Sequence, residues 1–296
     1  MSISDTIAGT GPRVATRPLL APSVILLLLW MIVPLALTLW FSFQRYNLLD
    51  PTVSGFVGFR NYAFLFTDPS LLNALINTVL LVAGVLIASV VLGLACALAL
   101  DQPFPGRSVA RLLCIAPFFV MPTVSALIWK NMLMHPVNGL FAYISRTLGL
   151  PVIDWFAQLP LTSIGIIVAW QWIPFATLIL LTSLQSLDRE QLEAARMDGA
   201  RGFRLFRFII LPHLSRSITI VIMIETIFLL SVFAEIFVTT AGGPGNASTT
   251  LPFLIYKTAL LDYNVGGASA GGVIAIILAN IVAFFLVRTI SHNLDR

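Results

Sequence analysis

Glu225 and Glu235 stand inside one apolar run, Ser217–Thr240, where ionisable side chains are costly and ordinarily face a cavity or a bonding partner. A carboxylate there accepts hydrogen bonds from hydroxyl groups entering a cavity, or it ties one helix to another. Placed at roughly 100° per residue, Glu225, Phe228, Leu229, Val232 and Glu235 fall on one broad helical face. A second apolar run carries Trp170, Gln171, Trp172 and Phe175 around Pro174. Such rings offer flat faces for stacking, or they pack against lipid and core. Between these runs lies the densest polar segment of the chain, Glu193–Pro212, reading EAARMDGARGFRLFRFIILP. An oily protein that keeps such a segment in water uses it to grip anionic headgroups or to touch another molecule.

The sequence shows no recognisable arrangement for covalent catalysis. The 3 histidines are His135, His213 and His292, and none lies deep in an apolar run, so an intramembrane serine–histidine pair is unattractive. Neither H-E-x-x-H nor a paired-aspartate motif is present, and G-x-x-x-x-G-K-[ST] is absent, so the chain is not expected to hydrolyse ATP. Cys96 and Cys114 both sit in apolar runs and suggest neither a disulfide framework nor metal-ligand spacing. Asn246-Ala247-Ser248 fits a glycosylation sequon and is read as chance.

The elements that must position these residues are membrane spans. Hydrophobic residues make up 58% of the 296 and charged residues 10%, whereas soluble domains carry about a quarter charged residues. Lipid must be the solvent for most of this chain. Six runs reach, or nearly reach, the roughly 20 residues needed to cross a hydrocarbon core. They are Leu19–Phe43, Asn77–Leu100, Val109–Leu133, Leu161–Leu184, Ser217–Thr240 and Gly271–Val287. The first is too long for a signal-peptide core and lacks a clear small-x-small cleavage site, so it is read as a retained helix. Pro117 and Pro122 interrupt the third run and Pro174 the fourth. Gly266, Gly267, Ala268, Ser269, Ala270, Gly271 and Gly272 open the sixth with small residues, suited to close packing or to a hinge.

With the N-terminus placed in the cytoplasm, most of the 17 Lys and Arg residues fall on the cytoplasmic side. Only Arg45, Arg60, Lys130, Arg146 and Lys257 fall outside. The positive-inside rule therefore puts both termini and the Arg-rich loop in the cytoplasm. The net charge of +4 reports this orientation and not nucleic-acid binding. The expected organisation is a cytoplasmic tail over 1–18, a six-helix membrane domain over 19–290 with a cytoplasmic loop at 187–212, and a tail over 291–296.

Within that loop, Leu187–Ala200 is rich in helix formers, with Asp188 as N-cap, Gln191 as a capping-box partner and Gly199 as a stop. A second helix from about Gly202 would carry Phe203, Phe206, Ile209 and Ile210 on one side. The spacing E-A-A, two residues, D-G-A, five residues, F, two residues, I, one residue, L-P covers Glu193, Ala194, Ala195, Asp198, Gly199, Ala200, Phe206, Ile209, Leu211 and Pro212. It resembles, at every one of those positions, the EAA loop of the membrane subunits of ABC importers. Ala241-Gly242-Gly243-Pro244 and Phe59-Arg60-Asn61-Tyr62 resemble elements of that family's carbohydrate branch, which includes the maltose importer's membrane subunits. General similarity near the N-terminus points faintly toward polyol permeases.

The resemblance implies an all-α polytopic protein with six transmembrane helices of the type I ABC importer permease fold, in a bacterial cytoplasmic membrane. It implies a permease that moves a sugar or sugar alcohol by alternating access; a permease for another solute and a secondary carrier are the alternatives. A stand-alone carrier would be expected to show inverted repeats, and none is obvious. Glu193, Ala194, Ala195, Asp198, Gly199 and Ala200 would form a coupling helix that docks on a cytoplasmic ATPase. The implied partners are two ATPase copies carrying ATP and Mg, a second homologous permease, and a periplasmic or lipid-anchored solute-binding protein, with no cofactor on this chain. Aligned through the prolines and the Gly-Gly-Pro run, the implied substrate contacts are Phe118, Pro122, Gln171, Trp172, Phe175, Glu225, Leu229 and Val232.

Overall fold

A computed structural model of the chain describes residues 16–294; residues 1–15 and 295–296 of the expected tails, with Arg13 and Arg296, lie outside the described residues. The elements run α1 (Thr16–Ser42), β1 (Gln44–Arg45), β2 (Gly55–Phe56), α2 (Arg60–Thr67), α3 (Pro69–Asp101), α4 (Arg107–Ile115), α5 (Pro122–Ile128), α6 (Leu140–Thr147), α7 (Trp155–Gln158), α8 (Pro160–Gln185), α9 (Arg189–Met197), α10 (Phe203–Leu205), α11 (Leu211–Leu229), α12 (Ala234–Thr239), α13 (Leu251–Tyr256) and α14 (Val265–Leu294). The strands form one two-residue antiparallel ladder, so the protein is all-α. Among the described residues 5 helices are long and apolar enough to cross a membrane, and a bent pair makes up to 6.

Local chemistry sets where the spans begin and break. Asp68 caps α3 by accepting from Ser70 N at 2.8 Å, with Pro69 at the first helical position, where a missing N–H costs nothing. The third span breaks as its prolines predict: Arg107–Phe119 and Pro122–Leu133 meet at 105°. Met121, forced out of the helical region by the following Pro122, is extended. The Gln171 side-chain amide of α8 donates to Val120 O at 2.9 Å and so satisfies a carbonyl that the break releases.

Three expectations need correction. Pro174 does not interrupt the fourth span: α8 runs continuously through it, and Pro174 is buried. The fifth span is not Ser217–Thr240. The helix starts at Phe203 and runs to Leu229, so the amphipathic helix expected after Gly202 and the span are one element. A π turn over Phe206–Ile210, closed by Leu211 N–H on Phe206 O, carries the chain past Pro212, which has no N–H to give. The chain then leaves the helix at Leu230–Phe233, where Ser231 Oγ takes the Phe228 carbonyl at 2.7 Å. Glu235 therefore belongs to a separate helix, α12, and not to one face shared with Glu225.

The sixth span begins earlier than expected, at Val265. Asn264 Oδ1 accepts from Gly267 N at 2.9 Å, and the small residues lie inside the first turns of α14. Their use here is close approach. A Cβ at Gly266 would sit 2.2 Å from Gln44 O, just past the end of α1. Asn61 fastens the same corner, its amide donating to Ser42 O and Gln44 O at 2.8 Å each, and Tyr62 Oη donates to Ser42 Oγ at 2.7 Å. Asn61→Ala strands two carbonyls at a cost of about 1–3 kcal/mol. It is expected to lower the thermal unfolding midpoint in detergent by several degrees, whereas Phe59→Ala, at a 75% exposed ring, leaves it unchanged.

The core lies between α3, α8 and the α11–α13 region. Leu81, Val82 and Val85 of α3 pack on Ile164, Val168 and Ala169 of α8, with Leu229, Val232, Ile236 and Phe253 closing the cluster. The seam between α3 and α8 is the most extensive in the described chain. By contrast α1 packs mainly on α14, and its outward residues are exposed and apolar, as lipid-facing residues are.

Candidate functional site: a water-exposed loop helix and an interior aromatic face

The polar segment forms a short helix standing off the bundle. Asp188 caps α9, its carboxylate accepting from Glu190 N at 2.9 Å. At the other end, Gly199 N donates to Arg196 O at 3.1 Å and Ala200 N to Ala195 O at 2.9 Å. This pair of bonds is a Schellman closure, and it needs a residue in the left-handed region, which Gly199 supplies at φ +84°. The motif spacing thus has a backbone cause: Ala195 gives the accepting carbonyl, Gly199 the turn and Ala200 the closing N–H.

Glu193, Ala194, Met197, Asp198 and Gly199 are exposed, and Ala195 and Ala200 half-buried. Among the described residues no ion pair joins Glu193 or Asp198 to the nearby arginines, so these charges face solvent. Sequence reasoning passed over Met197, whose side chain is 88% exposed on this helix. A lone long apolar side chain between Arg196 and Asp198 was the available signal. The loop's ends are tied together: His213 Nε2 of α11 lies 3.0 Å from Ser183 O and 3.4 Å from Ser186 Oγ at the end of α8. Leu187 is buried at the loop's start.

The interior residues separate into two groups. Phe118, Trp172 and Phe175 meet with centroids 5.7–5.8 Å apart, and Phe228 joins Trp172 at 5.3 Å. Phe118 remains 40% exposed, and Pro122 is exposed beside it at the start of α5. This is an open aromatic face at the break of the third span. The second group is closed. Gln171 is buried and its amide nitrogen is committed to Val120 O; Leu229 and Val232 belong to the apolar core. Glu225 is fully buried, with Oε2 accepting from Ser89 Oγ of α3 and Oε1 left without a partner. Ser89 carried no signal in the sequence, because a serine in an apolar helix commonly bonds its own backbone.

Glu235, also buried, starts α12, whose far end is held by Lys130: Nζ donates to Val238 O at 3.0 Å and Thr239 O at 2.7 Å. The turn that follows packs tightly. Ala241 and Gly242 have φ of +49° and +83°, and a Cβ on Gly242 would meet Thr249 Oγ1 at 2.5 Å. Asn77 Nδ2 of α3 fastens this turn through Asn246 O and Thr249 O at 3.1 and 3.0 Å. A cavity of about 610 Å³ lined by Arg45, Arg60, Asp68 and Asp262 lies away from both interior groups.

Residues 14–296 match the family described as binding-protein-dependent transport system inner membrane component. The chain belongs to that family. The permease is similar to the trehalose/maltose transport system permease protein MalF of Thermococcus litoralis, 32% identical over 91% of this chain and 90% of that protein. It is similar also to the sn-glycerol-3-phosphate transport system permease protein UgpA of Agrobacterium fabrum, 30% identical over 93% and 94%. Its fold matches a bacterial ABC transporter involved in import of the acidic polysaccharide alginate, with TM-score 0.78 at 19% identity over 93% and 94% of the two chains. The permease is a multi-pass inner-membrane transport component and not an enzyme. The fold expected from the sequence, an all-α ABC importer permease, is the one observed.

Proposed function

We propose that this permease carries a sugar or sugar alcohol inward by alternating access, driven by ATP hydrolysed on a separate subunit. The observation that carries the reading is the exposed helix α9, closed at Gly199 and clamped at its base by His213 between α8 and α11. A rigid, water-exposed helix tied to two spans suits transmission of force from a partner. In this reading Glu193, Ala194, Ala195, Asp198, Gly199 and Ala200 contact the ATPase. Two ATPase copies, a second homologous permease and a binding protein complete the assembly, and both termini lie in the cytoplasm.

The solute class rests on two supports. Relatives named for trehalose/maltose and glycerol phosphate match 91% and 93% of this chain, and the face of Phe118, Trp172 and Phe175 suits stacking on the apolar side of a sugar ring. Pro122 and Gln171 border that face, while Glu225, Leu229 and Val232 would contribute only when α11 shifts from α3.

The test is ATPase stimulation. The permease is co-expressed with its neighbouring permease and ATPase, reconstituted, and given the binding protein with a panel of sugars and polyols. Stimulation by one of them is expected; an assembled, ATP-competent complex that answers to none overturns the solute class. Glu225→Ala in that complex is expected to abolish uptake with assembly intact, and Glu225→Gln, which keeps an acceptor for Ser89, to retain part of it. Unchanged half-maximal solute concentration in both variants excludes Glu225 from the path.

A further inference from the structure

The cavity of about 610 Å³ is lined by charges of both signs that do not meet. Arg45 sits in β1 and Arg60 opens α2, while Asp68 stands just before α3 and Asp262 just before α14. Among the described residues no ion pair or hydrogen bond engages either guanidinium or the Asp262 carboxylate. Opposite charges held apart in a space of small-ligand size suit a ligand that carries both signs. The walls are fixed in advance. Leu48 N donates to Tyr263 O at 2.9 Å and Gly266 N to Tyr46 O at 3.2 Å, and Asn61 holds Ser42 O and Gln44 O. Tyr263 takes φ +57°, a costly conformation for a non-glycine residue and one that collects at ligand clamps. The surroundings point to the source of the ligand. Phe56, Phe59, Phe64 and Phe66 are each 69–75% exposed along one short stretch, and Phe64 lines the cavity itself. Rings exposed to that degree beside a polar cavity suit the membrane–water boundary.

We propose that this cavity holds the headgroup of an aminophospholipid, phosphatidylethanolamine, with the phosphate on Arg45 and Arg60 and the primary ammonium on Asp262 and Asp68. Guanidinium groups match phosphate oxygens with paired, charge-assisted hydrogen bonds. A primary ammonium offers three N–H donors to the carboxylates. The trimethylammonium of phosphatidylcholine offers none, and phosphatidylglycerol brings no cation to offset the two aspartates. The inference takes from the reading above only the orientation, which turns the cavity toward the outer leaflet; the headgroup chemistry does not depend on it. A lipid seated there bridges the end of α1, the start of α3 and the start of α14, a corner otherwise tied by Asn61 and Gly266.

The test purifies the assembled transporter in detergent, strips its lipid, and returns phosphatidylethanolamine, phosphatidylcholine or phosphatidylglycerol in turn, with bound lipid counted by native mass spectrometry. The complex is expected to keep phosphatidylethanolamine where the other two are lost. The double variant Arg45→Gln, Arg60→Gln is expected to keep one fewer, with retention at this site weakened roughly tenfold. Asp262→Asn leaves the phosphate contact and is expected to lose the preference for phosphatidylethanolamine over phosphatidylcholine. Arg216→Gln, at an exposed residue of α11 outside the cavity, is the control and should behave as wild type. Soluble phosphoethanolamine carries the same two charges without acyl chains, and inorganic phosphate carries one; neither is expected to displace the lipid. Displacement by either one overturns the assignment to a lipid. Equal retention of the three lipids, or unchanged retention in the double variant, overturns the site. Loss of stimulation by the binding protein in the double variant, with its lipid count unchanged, assigns the arginines to protein docking instead. Lipid is counted without transport, so failure of the solute reading leaves this result standing.

Discussion

Gly199→Asp is expected to abolish uptake while leaving the permease folded, inserted and at normal abundance. The geometry separates the two effects. A Cβ built at Gly199 meets nothing within 4 Å, so the only local cost is the left-handed backbone at φ +84°. That cost is about 1–2 kcal/mol for a general residue and less for aspartate, which visits this region readily. The Schellman closure therefore survives. What changes is the surface: a second carboxylate appears next to Asp198 at the exposed tip where the ATPase is proposed to seat. Like charge and added bulk at a desolvated contact cost several kcal/mol. Gly199→Asn keeps the backbone tolerance without the charge and should recover part of the activity. The measurements are uptake, stimulation of ATP hydrolysis by loaded binding protein, and co-purification of the ATPase. Wild-type uptake in Gly199→Asp sinks the coupling role.

Gly93→Ala is expected to damage stability at the main seam of the core. Its Cβ would lie 2.6 Å from Ala176 Cβ and 3.1 Å from Thr177 N, both on α8. The obstacle is a second helix backbone, which cannot swing aside as a flexible side chain would. Separating α3 from α8 loosens the main seam of the core, and overpacking of this kind costs about 1–3 kcal/mol or more. Lower yield and a lower unfolding midpoint in detergent are the readouts. Gly84→Ala, on the same helix with nothing within 4 Å, is the matched control and should behave as wild type. Adding Ala176→Gly to Gly93→Ala should restore part of the loss. Equal stability of the two single variants contradicts the close approach.

The sequence made some features legible because their causes are local. The capped helix at Asp188, its stop at Gly199 and the break at Pro122 each follow from one residue's backbone chemistry, and each is where the pattern put it. Hydropathy located the spans but misjudged their ends. The fifth run looked continuous because Leu230–Phe233 contains neither glycine nor proline, and Pro174 looked like a break although α8 runs on through it with the proline buried. The aromatic face was half visible. Trp172 and Phe175 stood out around a proline, but Phe118 reaches them only through the 105° turn. The partner of Glu225 was invisible, since Ser89 lies one helix away and leaves no periodic trace.

Lys130 gives the molecule a connectivity that differs from its covalent order. It ties the segment after the break of the third span to α12, the piece that follows the break of the fifth, and α5 packs directly on α12. Two remnants of different spans thus pack as one block, and Ile236 of α12 also enters the core against α3 and α8. Glu225 binds α11, which precedes the break of the fifth span, to α3 through Ser89. The pieces beyond the breaks at 120–121 and 230–233 are therefore held to each other by Lys130 and to α8 by direct packing. A displacement of α8 therefore bears on α5 and α12 together, two pieces that the covalent order keeps more than a hundred residues apart.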